Sequence, residues 1–111
     1  IAYRYYGVEK NYRVREIEDF LGRKLNFQYD EFDHLVAAVT PSIEHGASGN
    51  MFPGGTAYAF QYDSQNPRPE RRDDLIKIWY PNQTTAFLDP ATRTVDVEKV
   101  YAAATPRYLI E

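Results

Sequence analysis

His45 is the side chain best placed to do chemistry in this sequence of 111 residues. It follows Glu44 directly and sits in Glu44-His45-Gly46-Ala47-Ser48-Gly49-Asn50-Met51-Phe52. An imidazole gives or accepts a proton near neutral pH, and an adjacent carboxylate is an available second partner. Glycines let the backbone approach a ligand closely, and their amides can bind an anion. A second group stands in Asn66-Pro67-Arg68-Pro69-Glu70-Arg71-Arg72-Asp73-Asp74, where three guanidinium forks suit a phosphate or a carboxylate. Glu44 and His45 as an acid–base pair, with Arg68, Arg71 or Arg72 on a phosphate, would cleave a phosphodiester without a metal. Each group also has a plain reading. The first is a Gly/Ser/Asn turn with one surface histidine, since adjacent residues normally point apart. The second is a solvated, proline-stiffened loop whose arginines pair with Glu70, Asp73 and Asp74, each pair contributing little.

The string around His45 is similar to the stretch around a catalytic histidine in the guanyl-specific fungal ribonucleases, with one residue missing after the histidine. The resemblance implies RNA cleavage, with His45 as acid or base and Glu44 as its partner. In that family the stretch closes the chain after the sheet, whereas here it precedes the strands expected below. The family's disulfides have no counterpart either.

Other chemistries are excluded or unsupported. A chain with no cysteine has no disulfide, thiolate metal site, iron–sulfur cluster or cysteine nucleophile. Only His34 and His45 could be nitrogen ligands, and no His-x-x-x-His spacing joins them. Asp30, Glu31 and Asp33 lack the glycine and the twelve-residue pattern of a calcium loop. No metal and no cofactor is therefore expected, and His34 reads as a structural or surface histidine. Ser48 lacks the spacing of a nucleophile elbow, and Gly54-Gly55 is no dinucleotide fingerprint. What remains is an aromatic surplus of ten tyrosines, six phenylalanines and one tryptophan, more than a core of this size needs. Tyrosine joins an apolar body to a polar tip and is enriched at contact surfaces. Tyr58, Trp79 and Asn50, with the glycine loop, are candidates for a protein contact or for a small-ligand or carbohydrate site.

The elements that must position these groups follow from periodicity. Ala2 to Tyr6 reads as a first strand stopped by Gly7. Val14, Ile17, Leu21 and Leu25 recur at helical spacing, with Phe20 widening the stripe and Asn11 as the cap. Asn26 to Val39 is read as a second helix on Phe32, Leu35, Val36 and Val39, with a buried strand as the alternative. Ser42 to Thr56 is a loop. Thr56–Tyr62, Leu75–Tyr80 and Thr84–Leu88 read as meander strands, with a polar excursion from Asp63 to Asp74. Val97, Val100, Tyr101 and Ala104 suggest a short helix, and Tyr108 to Ile110 a last strand. The expected fold is one α+β domain over 1–111: an N-terminal strand, one or two helices, then a mostly antiparallel sheet of about four strands. Ile17, Phe20, Leu21 and Leu25 should pack on the sheet face bearing Tyr58 or Ile76. Lys77 beside Trp79 suggests a partly covered face that leaves the indole free for a contact.

Bulk properties narrow the partners. No apolar run approaches the roughly 18 residues a membrane helix needs, and no basic-then-apolar leader is visible. A net charge of −3 argues against coating a polyanion, so a nucleic-acid partner is disfavoured though a local site stays open. The first residue is Ile1, which reads as a processed or excised product. Neither the absent cysteines nor the acceptor-like Asn82-Gln83-Thr84 fixes a compartment. The leading functional reading is a non-catalytic binding or structural domain, a protein-interaction module or a subunit of a larger assembly. The rivals are the metal-independent nuclease of Glu44, His45 and Arg71, and the ligand-binding domain.

Overall fold

Seven antiparallel strands form the main sheet of the computed structural model, which describes residues 1–41, 43–44, 50–52, 55–103 and 108–109, with backbone alone at 43–44, 50–52 and 108–109. β1 (Ala2–Tyr5), β2 (Val14–Glu18), β3 (Lys24–Tyr29) and β4 (Leu35–Val39) lie side by side in chain order. A small hairpin of β5 (Ile43–Glu44) and β6 (Asn50–Phe52) intervenes before β7 (Ala57–Tyr62) and β8 (Leu75–Trp79) continue the sheet. The chain then crosses one face through α1 (Pro81–Thr84), the paired β9 (Leu88–Asp89) and β10 (Thr94–Val95), and α2 (Val97–Ala103). It returns as β11 (Tyr108–Leu109) beside β8.

The architecture is α+β with an antiparallel sheet, as expected, but with two corrections. Six strands of four to six residues, plus the two-residue β11, replace the four expected. The two short helices come after most of the sheet, not before it. Both stretches read as early helices are strands: β2 and β3 share the first, and β3 and β4 the second, where β4 is the buried strand given as the alternative. Thr84 to Leu88, read as a strand, is largely helical turn. Within the loop expected over 42–56, β5 and β6 pair.

The turns explain why strands won. Asp19 accepts the Leu21 and Arg23 amides on Oδ1 at 2.9 and 3.0 Å, while its Oδ2 receives Arg23 Nε at 2.7 Å. Gly22 supplies the positive φ, +80°, that a three-residue hairpin loop needs. Asp30 repeats the device, taking the Phe32 and His34 amides at 2.8 and 2.9 Å, with Asp33 at φ +65°. Each aspartate satisfies amides that a helix would have used and turns the chain back on itself. Phe20 and Leu21 therefore occupy an exposed turn rather than a core stripe.

The core lies between the sheet and the crossing segment. Ala37 and Val39 on β4, Ala57 and Ala59 on β7, and Trp79 on β8 share one face through the register Ala37↔Ala59↔Trp79 and Val39↔Ala57. The small alanines leave room for the indole, which packs with Val95, Val100 and the ring of Tyr101 at 5.0 Å. Polar pairing fastens the cover down. The Gln28 amide donates to the Val95 carbonyl at 2.9 Å and accepts its N–H at 2.6 Å. Arg93 donates to Asn26 Oδ1, Lys24 O and Thr40 O at 2.6–2.8 Å. Thr84, fully buried, donates to Ala57 O at 2.6 Å.

Candidate functional site

The face of the sheet away from this core is apolar. Ladder register places Tyr3, Ile17 and Leu25 in one cross-strand row, Phe27, Ala38 and Tyr58 in the next, and Phe60 beside Ile78. None of these residues is charged. The charges sit on the covered side instead, where Arg4 pairs with Glu16 and with Glu18 (2.8 Å), and Lys24 lies 4.0 Å from Glu16. Burial opposes ionisation of Glu16, but the Asn26 hydrogen bond and the charges of Lys24 and Arg4 win and hold its carboxyl below the usual range. An antiparallel sheet with one solvated face ordinarily alternates apolar-in and polar-out. Here the face that no described element covers has the composition of a buried one. Tyr3 is 54% exposed, and Leu25 and Tyr58 37% each.

A groove of about 470 Å³ runs along this face, lined by Ile17, Leu25, Thr40, Pro41, Thr56 and Tyr58. Its polar atoms are already satisfied. The Thr56 N–H donates to Thr40 Oγ1 at 3.0 Å, the two hydroxyls lie 2.9 Å apart, and Thr40 N–H reaches Thr56 O at 2.7 Å. Covering such a floor leaves no hydrogen-bonding group newly orphaned, so drying it carries little of the usual desolvation penalty. Asp19 and Arg23, also on the lining, neutralise one another. Tyr58 stands against Tyr80 edge to face, with centroids 5.9 Å apart.

The chain matches no family model, no curated protein and no solved structure.

The second candidate is His34. Its Nδ1 lies 3.2 Å from Asp30 Oδ2 and its Nε2 2.6 Å from Asp73 Oδ1, and the ring stacks on Tyr62 at 4.4 Å. Burial disfavours the imidazolium, but the Asp73 and Asp30 carboxylates outweigh it and push the histidine above its ordinary value. Phe32, Ser64, Asn66, Arg72 and Asp73 line a cleft with it. The two carboxylates approach opposite edges of the ring and do not converge on a common point. Among the described residues no cluster of three or more potential ligands could hold a metal ion. Both nitrogens face a carboxylate, an arrangement that favours the protonated ring.

The residues singled out by the sequence are scattered. Tyr58 is on the open face, but Trp79 is 1% exposed in the core, which corrects the expectation of a free indole. The two rings project from opposite faces and cannot share a ligand site. Arg68 lies 3.5 Å from Glu70, Arg71 ends an exposed 3-10 turn, and Arg72 donates to Asn66 O at 2.8 Å. Arg68 and Arg72 thus bind within their own excursion, while Asp73, expected to pair with the arginines, reaches His34 instead. Glu44 and Asn50 lie in β5 and β6, where only the backbone is described, and His45 lies outside the described residues. Sequence reasoning missed the Asp30–His34–Asp73 cluster and the row Tyr3–Ile17–Leu25. The signal for the two hairpin turns that build them was the repeated pattern of aspartate, then a left-handed fourth position, then a basic residue, in Asp19–Arg23 and Asp30–His34, while nothing local pointed to Asp73.

Among the described residues no helix is long and apolar enough to cross a membrane.

Proposed function

We propose that this chain is a non-catalytic binding domain that joins a larger assembly through the open face of its sheet. The observation that carries the reading is the pair of aromatic and aliphatic rows from Tyr3 to Tyr58 with Phe60 and Ile78, and a groove of internally paired threonines whose two charges, Asp19 and Arg23, neutralise one another. Contiguous exposed apolar surface of this kind marks interaction sites in soluble proteins. Tyrosine at its margin suits an interface, since the ring is buried while the hydroxyl stays wet. The arginine excursion supports the reading less, because two of its three cations, Arg68 and Arg72, are engaged internally.

Immobilised wild type, a Leu25→Lys/Tyr58→Lys variant and an Arg68→Ala/Arg71→Ala/Arg72→Ala variant are compared for the native partners each retains, copies of the chain included. The face variant should lose what wild type retains, and the loop variant should keep it. Retention that survives the two lysines but fails without the arginines would move the site to the excursion and overturn the reading.

A further inference from the structure

We propose that the occupant of the open face is a second copy of this chain, the two sheets packing face to face about a two-fold axis. The inference rests on the reading that this face is the binding surface, and three further observations point to self-pairing.

The first is area. The chain exposes 7324 Å², about 1,000 Å² more than the roughly 6,300 Å² typical of a monomer of its mass. A standard interface covers about 800 Å² on each partner, so an excess of this size is enough to supply one.

The second is self-complementarity. A two-fold interface sets one patch against itself, so a residue i that meets j must also find j meeting i. A patch carrying net charge would meet like charge under that operation, and this one carries none in its rows. It also offers both a projection and a recess, since the Tyr58 ring rises beside the groove over Thr40 and Thr56. Ala38, between Phe27 and Tyr58 in the central row, leaves a shallow centre where the two sheets can approach closely.

The third is shape. The molecule measures 51 × 32 × 18 Å, and among the described residues the covering layer of β9, β10 and α2 packs on one face of the sheet alone. Two sheets packed at the usual separation of about 10 Å would place the aromatic rows in a single dry layer. Side chains from two apolar faces then interdigitate as they do inside a β-sandwich.

The purified chain is examined alone by sedimentation velocity and light scattering across a concentration series. Wild type should reach twice the 12.9 kDa chain mass. Tyr58→Lys and Leu25→Lys should weaken that association by more than about tenfold, as expected for anchors near an interface centre. Arg71→Glu, on the exposed excursion, should leave it unchanged. Ala38→Cys gives a chain with one thiol and little change in shape. Mild oxidation should link its copies much faster than copies of a Glu70→Cys control, which keeps the test informative if a lysine variant fails to fold. A wild type that stays monomeric, or a dimer indifferent to both lysines with no preference for linkage at position 38, overturns the self-pairing. A monomer whose native partner is still lost in the face variant overturns self-pairing alone and leaves the binding-domain reading standing.

Discussion

His34 holds a proton between two carboxylates contributed by segments far apart in sequence, Asp30 in a hairpin turn and Asp73 at the end of the polar excursion. A neutral imidazole keeps one N–H, so it can donate to only one of them. The folded-state pKa is raised above the ordinary 6.5, so this contribution to stability is fully present below about pH 6.5 and is lost as pH rises through the folded value. Urea midpoints measured between pH 5.5 and 9 should fall across that window for wild type, and His34→Gln should remove this part of the slope. Asp73→Asn should shrink it only partly, because Asp30 remains and Asp73 itself is largely solvent-exposed. The sequence shows His34 plainly but not its partners. Asp73 is 39 positions away and sits among arginines that look like its natural mates, so local charge counting assigned it wrongly.

At the scale of elements, local signals succeeded where a strand or helix is bounded by its own punctuation. β7, β8, α2 and β11 stand close to where periodicity puts them, each flanked by proline, asparagine or aspartate. They failed between Asn11 and Val39. There, two hairpins joined by short turns bring Val14, Ile17, Leu21 and Leu25 into an accidental helical spacing. The difference is measurable. A buried helix stripe would make Leu21→Ala cost roughly 2–5 kcal/mol. At 66% exposure in the β2–β3 turn, the substitution should stay within about 0.5 kcal/mol of wild type in a denaturant titration. Gly55 is the opposite case, a glycine that the sequence places only within a loop. Its φ is +85°, and an added Cβ would lie 1.9 Å from the Thr40 carbonyl oxygen. Gly55→Ala therefore combines a disfavoured backbone with a collision against main chain that no rotamer change relieves. It should lower the melting temperature sharply, whereas Gly22→Ala, at φ +80° but with open space around it, should cost only about 1 kcal/mol.

For the molecule as a whole, the two faces of one sheet are apolar for different reasons, and substitution should separate them. Trp79 is enclosed by the covering segment, which Gln28 and Arg93 tie to the strands beneath. Burial lowers the Arg93 pKa, with Glu16 opposing, so this guanidinium is spent on holding the fold rather than on meeting a ligand. Trp79→Ala should accordingly cost about 3–5 kcal/mol and leave the partner surface chemically intact. Leu25 belongs to the other face, where the isolated chain already tolerates water. Leu25→Lys should leave the denaturant midpoint of the monomer nearly unchanged, within about 0.5 kcal/mol. At concentrations low enough to keep the chain monomeric, it should also reduce the fluorescence of a bound hydrophobic dye, because the cation breaks the continuous apolar surface the dye needs. The pair is decisive because composition alone treats tryptophan and leucine as interchangeable core material. If Leu25→Lys unfolds the chain as Trp79→Ala does, the face is part of the core and the binding surface lies elsewhere. If stability holds while the dye signal falls, the apolar rows contribute nothing to the folding of a single copy, and association is what remains for them to drive.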